Sequence, residues 1–189
     1  MKPTYEGFEA KKSSNFVTLP PVGAYVGEIQ GVKTERSYDN THDVIVLMVE
    51  ITEGEYANQY HKVFEDQNNR WGNVKYKGTY RLTPPIEGDE PWKKKNFEEA
   101  LWCVEQSNPG YHWDWDENKL KGKAIGLNVR KNIYTGKDGK QKEQTEIGRL
   151  ETVDDVKNGK CRVLNDRVSA GSASADEPTN VTGTVEVPF

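Results

Sequence analysis

The chain has 189 residues, 26 of them Lys or Arg and 30 Asp or Glu, for a net charge of −4. Its longest apolar run, Val44 to Val49, is far short of the roughly 20 residues a membrane helix needs, and its first residues carry no signal-peptide stretch. With two distant cysteines, Cys103 and Cys161, a membrane protein, a secreted protein and a disulfide scaffold are all disfavoured, and a cytoplasmic location is expected.

In chain order, Tyr25 to Val32 reads as a first strand, with Gly27 and Gly31 as marks of a curled sheet. Asp43 to Ile51 is apolar and β-branched on both faces and reads as a central strand. Glu53-Gly54-Glu55 is a tight connection, and Tyr56 to Phe64 is expected as the third strand of a hairpin. Residues 65–95, with Pro84-Pro85, Gly88 and Pro91, read as an irregular insertion. One helix follows. Asn96 and Glu99 have capping-box spacing, Phe97, Leu101 and Val104 form one apolar stripe, and Asn108-Pro109-Gly110 stops it. Lys121 to Lys131 and Gln144 to Leu150 read as a final hairpin whose turn carries Asp138-Gly139. Val153 to Val156 reads as a short turn or helix.

Composition changes near residue 169. From there to Phe189 the chain has no Lys, Arg, His or Trp and is rich in Ser, Ala, Thr and Gly, so it is expected to be disordered. The expected organisation is one domain over 1–168 and a linker with a C-terminal tip over 169–189. The order of three strands, a helix and two strands is that of an OB-fold, a five-stranded barrel that binds oligonucleotides or oligosaccharides. The fold class expected is therefore mainly β.

No motif of a nucleotide-hydrolysing, serine-hydrolase or zinc site is present, and His42, His61 and His112 are isolated from one another. No enzyme, cofactor or metal is expected. Asp114, Asp116 and Glu117 read as a solvated acidic loop in preference to a metal site. The informative feature is the interleaving of cations with rings. Single-stranded nucleic acid needs cations for its phosphates and flat rings for its unpaired bases, at about 1–3 kcal/mol per stacked base. The stacking candidates are Tyr60, Trp71, Tyr76, Trp92 and Tyr134, with Trp71, Tyr76 and Trp92 the best exposed. Trp102 and Trp113 are assigned to packing. The phosphate candidates are Lys62, Arg70, Lys75, Lys77, Arg81, Lys93, Lys94, Lys95, Lys137 and Lys140. Arg36 and Tyr38, between the first two strands, are expected to flank the groove together with the last hairpin. About half of the interleaved set is expected to be structural.

The chain ends Glu186-Val187-Pro188-Phe189. An acidic residue, an aliphatic residue, Pro and a terminal Phe behind a Ser/Gly linker resemble the C-terminal tip of bacterial and phage single-stranded DNA-binding proteins. Gly23-Ala24-Tyr25-Val26 and Glu53-Gly54-Glu55-Tyr56 are similar in style to the OB-fold body of phage-encoded relatives. The resemblance implies a non-catalytic protein that coats single-stranded DNA in replication or recombination. It also implies docking of replication and repair proteins, with Phe189 the anchor, Pro188 the rigid turn, Val187 the aliphatic element and Glu186 the acidic one. The departure is that Glu186 stands alone where the family has a run of acids, which implies weaker docking. The acidic tail could also occupy the basic groove when DNA is absent, so that removing 169–189 would tighten binding at low salt. Affinity is expected to fall steeply with salt and to show little sequence preference. Self-association into a homo-oligomer is left open.

Two other readings compete. A protein-interaction or inhibitor protein would act through the terminal Phe alone, and a carbohydrate-binding module would use its tryptophans on sugar faces. The tip and the lack of a secretion signal rank the module last.

Overall fold

The computed structural model describes residues 16–136 and 138–169. Its centre is a mainly β, mixed, open sheet of six strands with a few helices. Strands β1 (Gly23–Arg36), β2 (Asp43–Ile51), β3 (Thr79–Leu82), β4 (Ala124–Thr135) and β5 (Gln141–Glu151) lie antiparallel in the order β3-β2-β1-β4-β5. The short β6 (Arg167–Ser169) runs parallel to the far end of β4, where Asn132 faces Arg167. Helices α1 (Gln59–Trp71), α2 (Pro91–Ser107) and α3 (Val153–Lys157) and one 3-10 turn (Glu117–Leu120) join the strands. Among the described residues no helix is long and apolar enough to cross a membrane.

The sheet curls because its register shifts in two places, between Ile29 and Gly31 of β1 and between Asn128 and Val129 of β4. At Gly27 a Cβ would come within 2.6 Å of the Glu50 carbonyl and 2.7 Å of Leu127 Cδ1, so β1 and its neighbours pack at a distance only glycine permits. The curl wraps one apolar face around a core of Ile29, Leu47, Val49, Ile51, Ile125, Leu127, Val129 and Leu150. Helix α2 closes this core with Phe97, Leu101 and Val104, the stripe read from the sequence. β2 is buried on both faces, as its unbroken apolar run requires.

Three expectations are corrected. The third strand does not run from Tyr56 to Phe64. That segment enters α1, because Tyr60 and Val63 are buried at helical spacing and because the Glu50 carboxylate accepts the N–H groups of Tyr60 (3.1 Å) and His61 (2.6 Å). Asn58 at the helix start has no side-chain cap, so Glu50, carried by β2, satisfies these two donors instead. The third strand is Thr79–Leu82, which pairs with β2 from Met48 to Ile45. Residues 65–95 are therefore not an irregular insertion; they hold the end of α1, all of β3 and the start of α2. Finally, α2 begins at Pro91 with Glu90 as N-cap, and Asn96 lies inside it, exposed. Proline at the first helical position fixes φ for the helix without losing a bond, and the polar first turn showed no periodicity to read. Glu99 pairs with Arg149 at 3.2 Å in place of a capping box.

The final hairpin matches its expected turn: Gly139 has φ 74°, and Gly136 donates to the Lys140 carbonyl at 2.8 Å. Residues 153–157 form a helical turn capped by Thr152.

Candidate nucleic-acid interface

The interleaved cations and rings divide between two regions. The first follows α1. Tyr60 is only 1% exposed and belongs to the core, which corrects its assignment as a stacking ring. Tyr76 is corrected as well. It is half-buried, and its hydroxyl lies 2.9 Å from both Glu50 Oε2 and the Val49 carbonyl. Burial, with the Glu50 carboxylate adding to it, pushes this phenol far above its ordinary pKa. Trp71 stacks on Phe16 at 6.0 Å and 14°, and Arg70 sits over the same Phe16 ring at 4.3 Å while bonding Asp66 at 2.9 Å. Trp71 remains exposed, so the structure keeps it available. Lys62 is exposed and bonds the Ala57 carbonyl at 2.9 Å. Lys75 is exposed and Lys77 half-buried, both between α1 and β3.

The second region comprises the 37–42 connection and the start of α2. The connection is shaped by Asp39, whose Oδ1 accepts from the Ser37 hydroxyl (2.5 Å), the Thr41 hydroxyl (2.8 Å) and the Thr41 N–H (3.2 Å). These bonds hold the Asp39 carboxyl far below the ordinary range, with the Ser37 bond the largest cause. Ser37 and His42 close the loop across its neck, N–H to carbonyl at 2.8 Å. Tyr38 is left on the outside of this turn, 96% exposed. Charges join the connection to α2. The Asp89 carboxyl is lowered first by the Ile86 N–H and then by Lys93, with the charge of His42 contributing. The Lys93 ammonium is raised by its bond to Asp89 and, further out, by Asp39. Trp92, one residue before Lys93, is 59% exposed.

Most cations in this region already hold a carboxylate. Arg36 pairs with Asp43 (3.0 Å), Arg81 with Glu35 (3.1 Å), Lys93 with Asp89 (2.7 Å), Lys94 with Glu98 and Lys95 with Glu99 (3.7 Å each). Such exposed pairs are worth about 0–1 kcal/mol, so a phosphate could displace the carboxylate, but little counterion would be released. Of the phosphate candidates, Lys62, Lys77 and Lys140 have no carboxylate partner among the described residues. In the last hairpin Tyr134 is half-buried and Lys140 exposed. Lys137 lies outside the described residues, and so do Glu186, Val187, Pro188 and Phe189.

A third segment reaches the same end of the sheet. The Thr34 hydroxyl of β1 bonds Glu117 at 3.3 Å, and Trp115 stacks on Phe97 of α2 at 6.0 Å and 24°. Trp115 is 68% exposed and has φ 68°. For a bulky residue this conformation costs about 1–3 kcal/mol. Trp113 packs against the core edge-on to Phe97, as expected, whereas Trp102 is exposed on α2 and does not serve the core. Trp115 is not among the stacking candidates because acids flank it. The alternation Trp113-Asp114-Trp115-Asp116 was the available signal, with one ring turned in and one out. Those acids hold protein donors. Asp114 pairs with Lys119, and Asp116 caps the 3-10 turn through the Asn118 N–H at 3.1 Å.

No protein-family model and no curated protein matches the chain.

Proposed function

We propose that this is a non-catalytic single-stranded DNA-binding protein of the phage-encoded kind, acting in replication or recombination inside a bacterial host. The observation that carries the reading is the pair of exposed rings, Tyr38 on the 37–42 connection and Trp92 at the start of α2, two segments whose charges act on one another, His42 on Asp89 and Asp39 on Lys93. Rings held outside a polar surface in this way suit unpaired bases, which stack without regard to sequence. Trp71 on its Phe16 base adds a third ring at the α1 end.

An OB-fold is the finer reading of the sheet. In its favour are the strand order β3-β2-β1-β4-β5, the placing of α2 between β3 and β4, and the nearness of β3 to β5. On that reading the 37–42 connection and the 136–140 turn are the loops that flank a bound oligonucleotide. Glu186, Val187, Pro188 and Phe189 would dock replication and repair proteins; capture of such a protein should disappear when Pro188 and Phe189 are removed.

The experiment is fluorescence anisotropy of labelled oligo(dT) and of a matched duplex with the full chain. Binding of the single strand at least tenfold tighter than the duplex is expected. Equal affinity for the two, or none for either, contradicts the reading.

A further inference from the structure

The turn between α2 and β4 is unfavourable in three places at once. Trp115 occupies the left-handed region at φ 68°, which bulky side chains avoid. The Tyr111 hydroxyl and the Trp113 indole N–H are both buried with no hydrogen-bond partner among the described residues. Such departures persist only where their surroundings fix them, and they gather at sites of function.

The surroundings do fix this turn. Glu105 of α2 accepts the Trp113 backbone N–H at 2.8 Å and pairs with His112 at 2.9 Å. Asp114 accepts the Asp116 N–H at 3.4 Å and pairs with Lys119. Glu117 is tied to Thr34 of β1 at 3.3 Å. Between these ties the Trp115 ring is laid nearly parallel on Phe97, 24° between planes, and left 68% exposed. A tryptophan placed for packing alone would be turned inward, as Trp113 is. Phe97 below it is buried in the core, so the platform has a rigid base.

We infer that Trp115 is a stacking platform for one base of a single DNA strand that also crosses the Tyr38–Trp92 end, and that the strained 111–116 turn preorganises it. The inference rests on the proposed function. Thr34 lies on β1, two residues before Arg36 and four before Tyr38 of the connection that follows, which places the platform beside that end. Trp115 contributes through an uncharged ring, so its contribution depends little on salt.

The test uses the full chain and anisotropy of labelled oligo(dT), so that the readout survives loss of a tryptophan. Trp115→Gly supplies a residue suited to φ 68° but uncovers Phe97, so the thermal midpoint should change little while affinity falls about tenfold at both low and moderate salt. Trp115→Phe keeps a ring and should stay within about threefold. Trp115→Asn, which also tolerates the left-handed region, replaces the glycine variant if that one does not fold. Binding by Trp115→Gly or Trp115→Asn within twofold of the unsubstituted protein overturns the inference and leaves the proposed function standing. Failure of the unsubstituted protein to bind oligo(dT) overturns both.

Discussion

The start of α1 and the start of α2 hold similar residues and use them in opposite ways. At α1, Tyr60 and Tyr76 surround Glu50, which is 3% exposed and accepts from the N–H groups of Ile51, Tyr60 and His61 and from the Tyr76 hydroxyl. At α2, Tyr38, Trp92 and Trp115 stand outside the sheet, held by turns whose carboxylates are spent on local donors. The difference lies in where the anchor sits. A buried carboxylate gathers rings inward because each of its lone pairs demands a donor. An exposed carboxylate that shapes a turn does the reverse and projects its neighbour outward. A run of aromatic and basic residues therefore does not define a binding surface until its anchors are known.

The largest expected effect breaks the buried side of this contrast. Glu50→Ala leaves three backbone donors without their acceptor, and the Tyr76 hydroxyl with the Val49 carbonyl alone, and should cost roughly 3 kcal/mol or more in urea unfolding; a loss under 1 kcal/mol would show that Glu50 does not organise α1. The exposed side is tested by Trp92→Ala. It should weaken oligo(dT) binding by about 1–2 kcal/mol in a fluorescence-anisotropy titration while leaving stability within about 0.5 kcal/mol. A drop in stability with unchanged affinity would return Trp92 to the packing residues.

Salt sharpens the same contrast. The ten phosphate candidates read from the sequence would give a slope of log affinity against log salt near −7 for a single strand. The three with no carboxylate partner among the described residues give about −2. The structure favours the shallower value, measured by titration across a fourfold range of salt; a slope beyond about −5 would mean that the paired lysines give up their carboxylates on binding. The smallest effect is Tyr60→Phe. The Tyr60 hydroxyl is buried without a hydrogen-bond partner among the described residues, so its removal should be neutral or slightly stabilising and should leave DNA affinity unchanged. A marked loss of binding would restore the stacking role that burial denies it.

What was legible in the sequence was what depends on near neighbours. β2 announces itself through an unbroken β-branched run, the last hairpin through Asp138-Gly139, and α2 through Phe97, Leu101 and Val104. α1 was not legible, because the group that anchors its first turn is Glu50, on another element, and the alternation of Tyr56, Tyr60 and Phe64 suits a strand equally well. β3 is four residues long and gains its identity only by pairing with β2. At the site, Trp71 and Trp92 could be read as exposed because they sit in polar sequence. Tyr76 has equally polar neighbours, and its contacts with Glu50 and the Val49 carbonyl draw it in. Trp115 is visible in the backbone angle, which the sequence does not carry.

The most direct test of the account is ultraviolet cross-linking of oligo(dT) to the full chain, with the cross-linked peptides mapped by mass spectrometry. Cross-links concentrated at Tyr38, Trp92 and Trp115, and absent with a matched duplex, are the expected result. Cross-links confined to residues 59–77, or equal in number with the duplex, would contradict it.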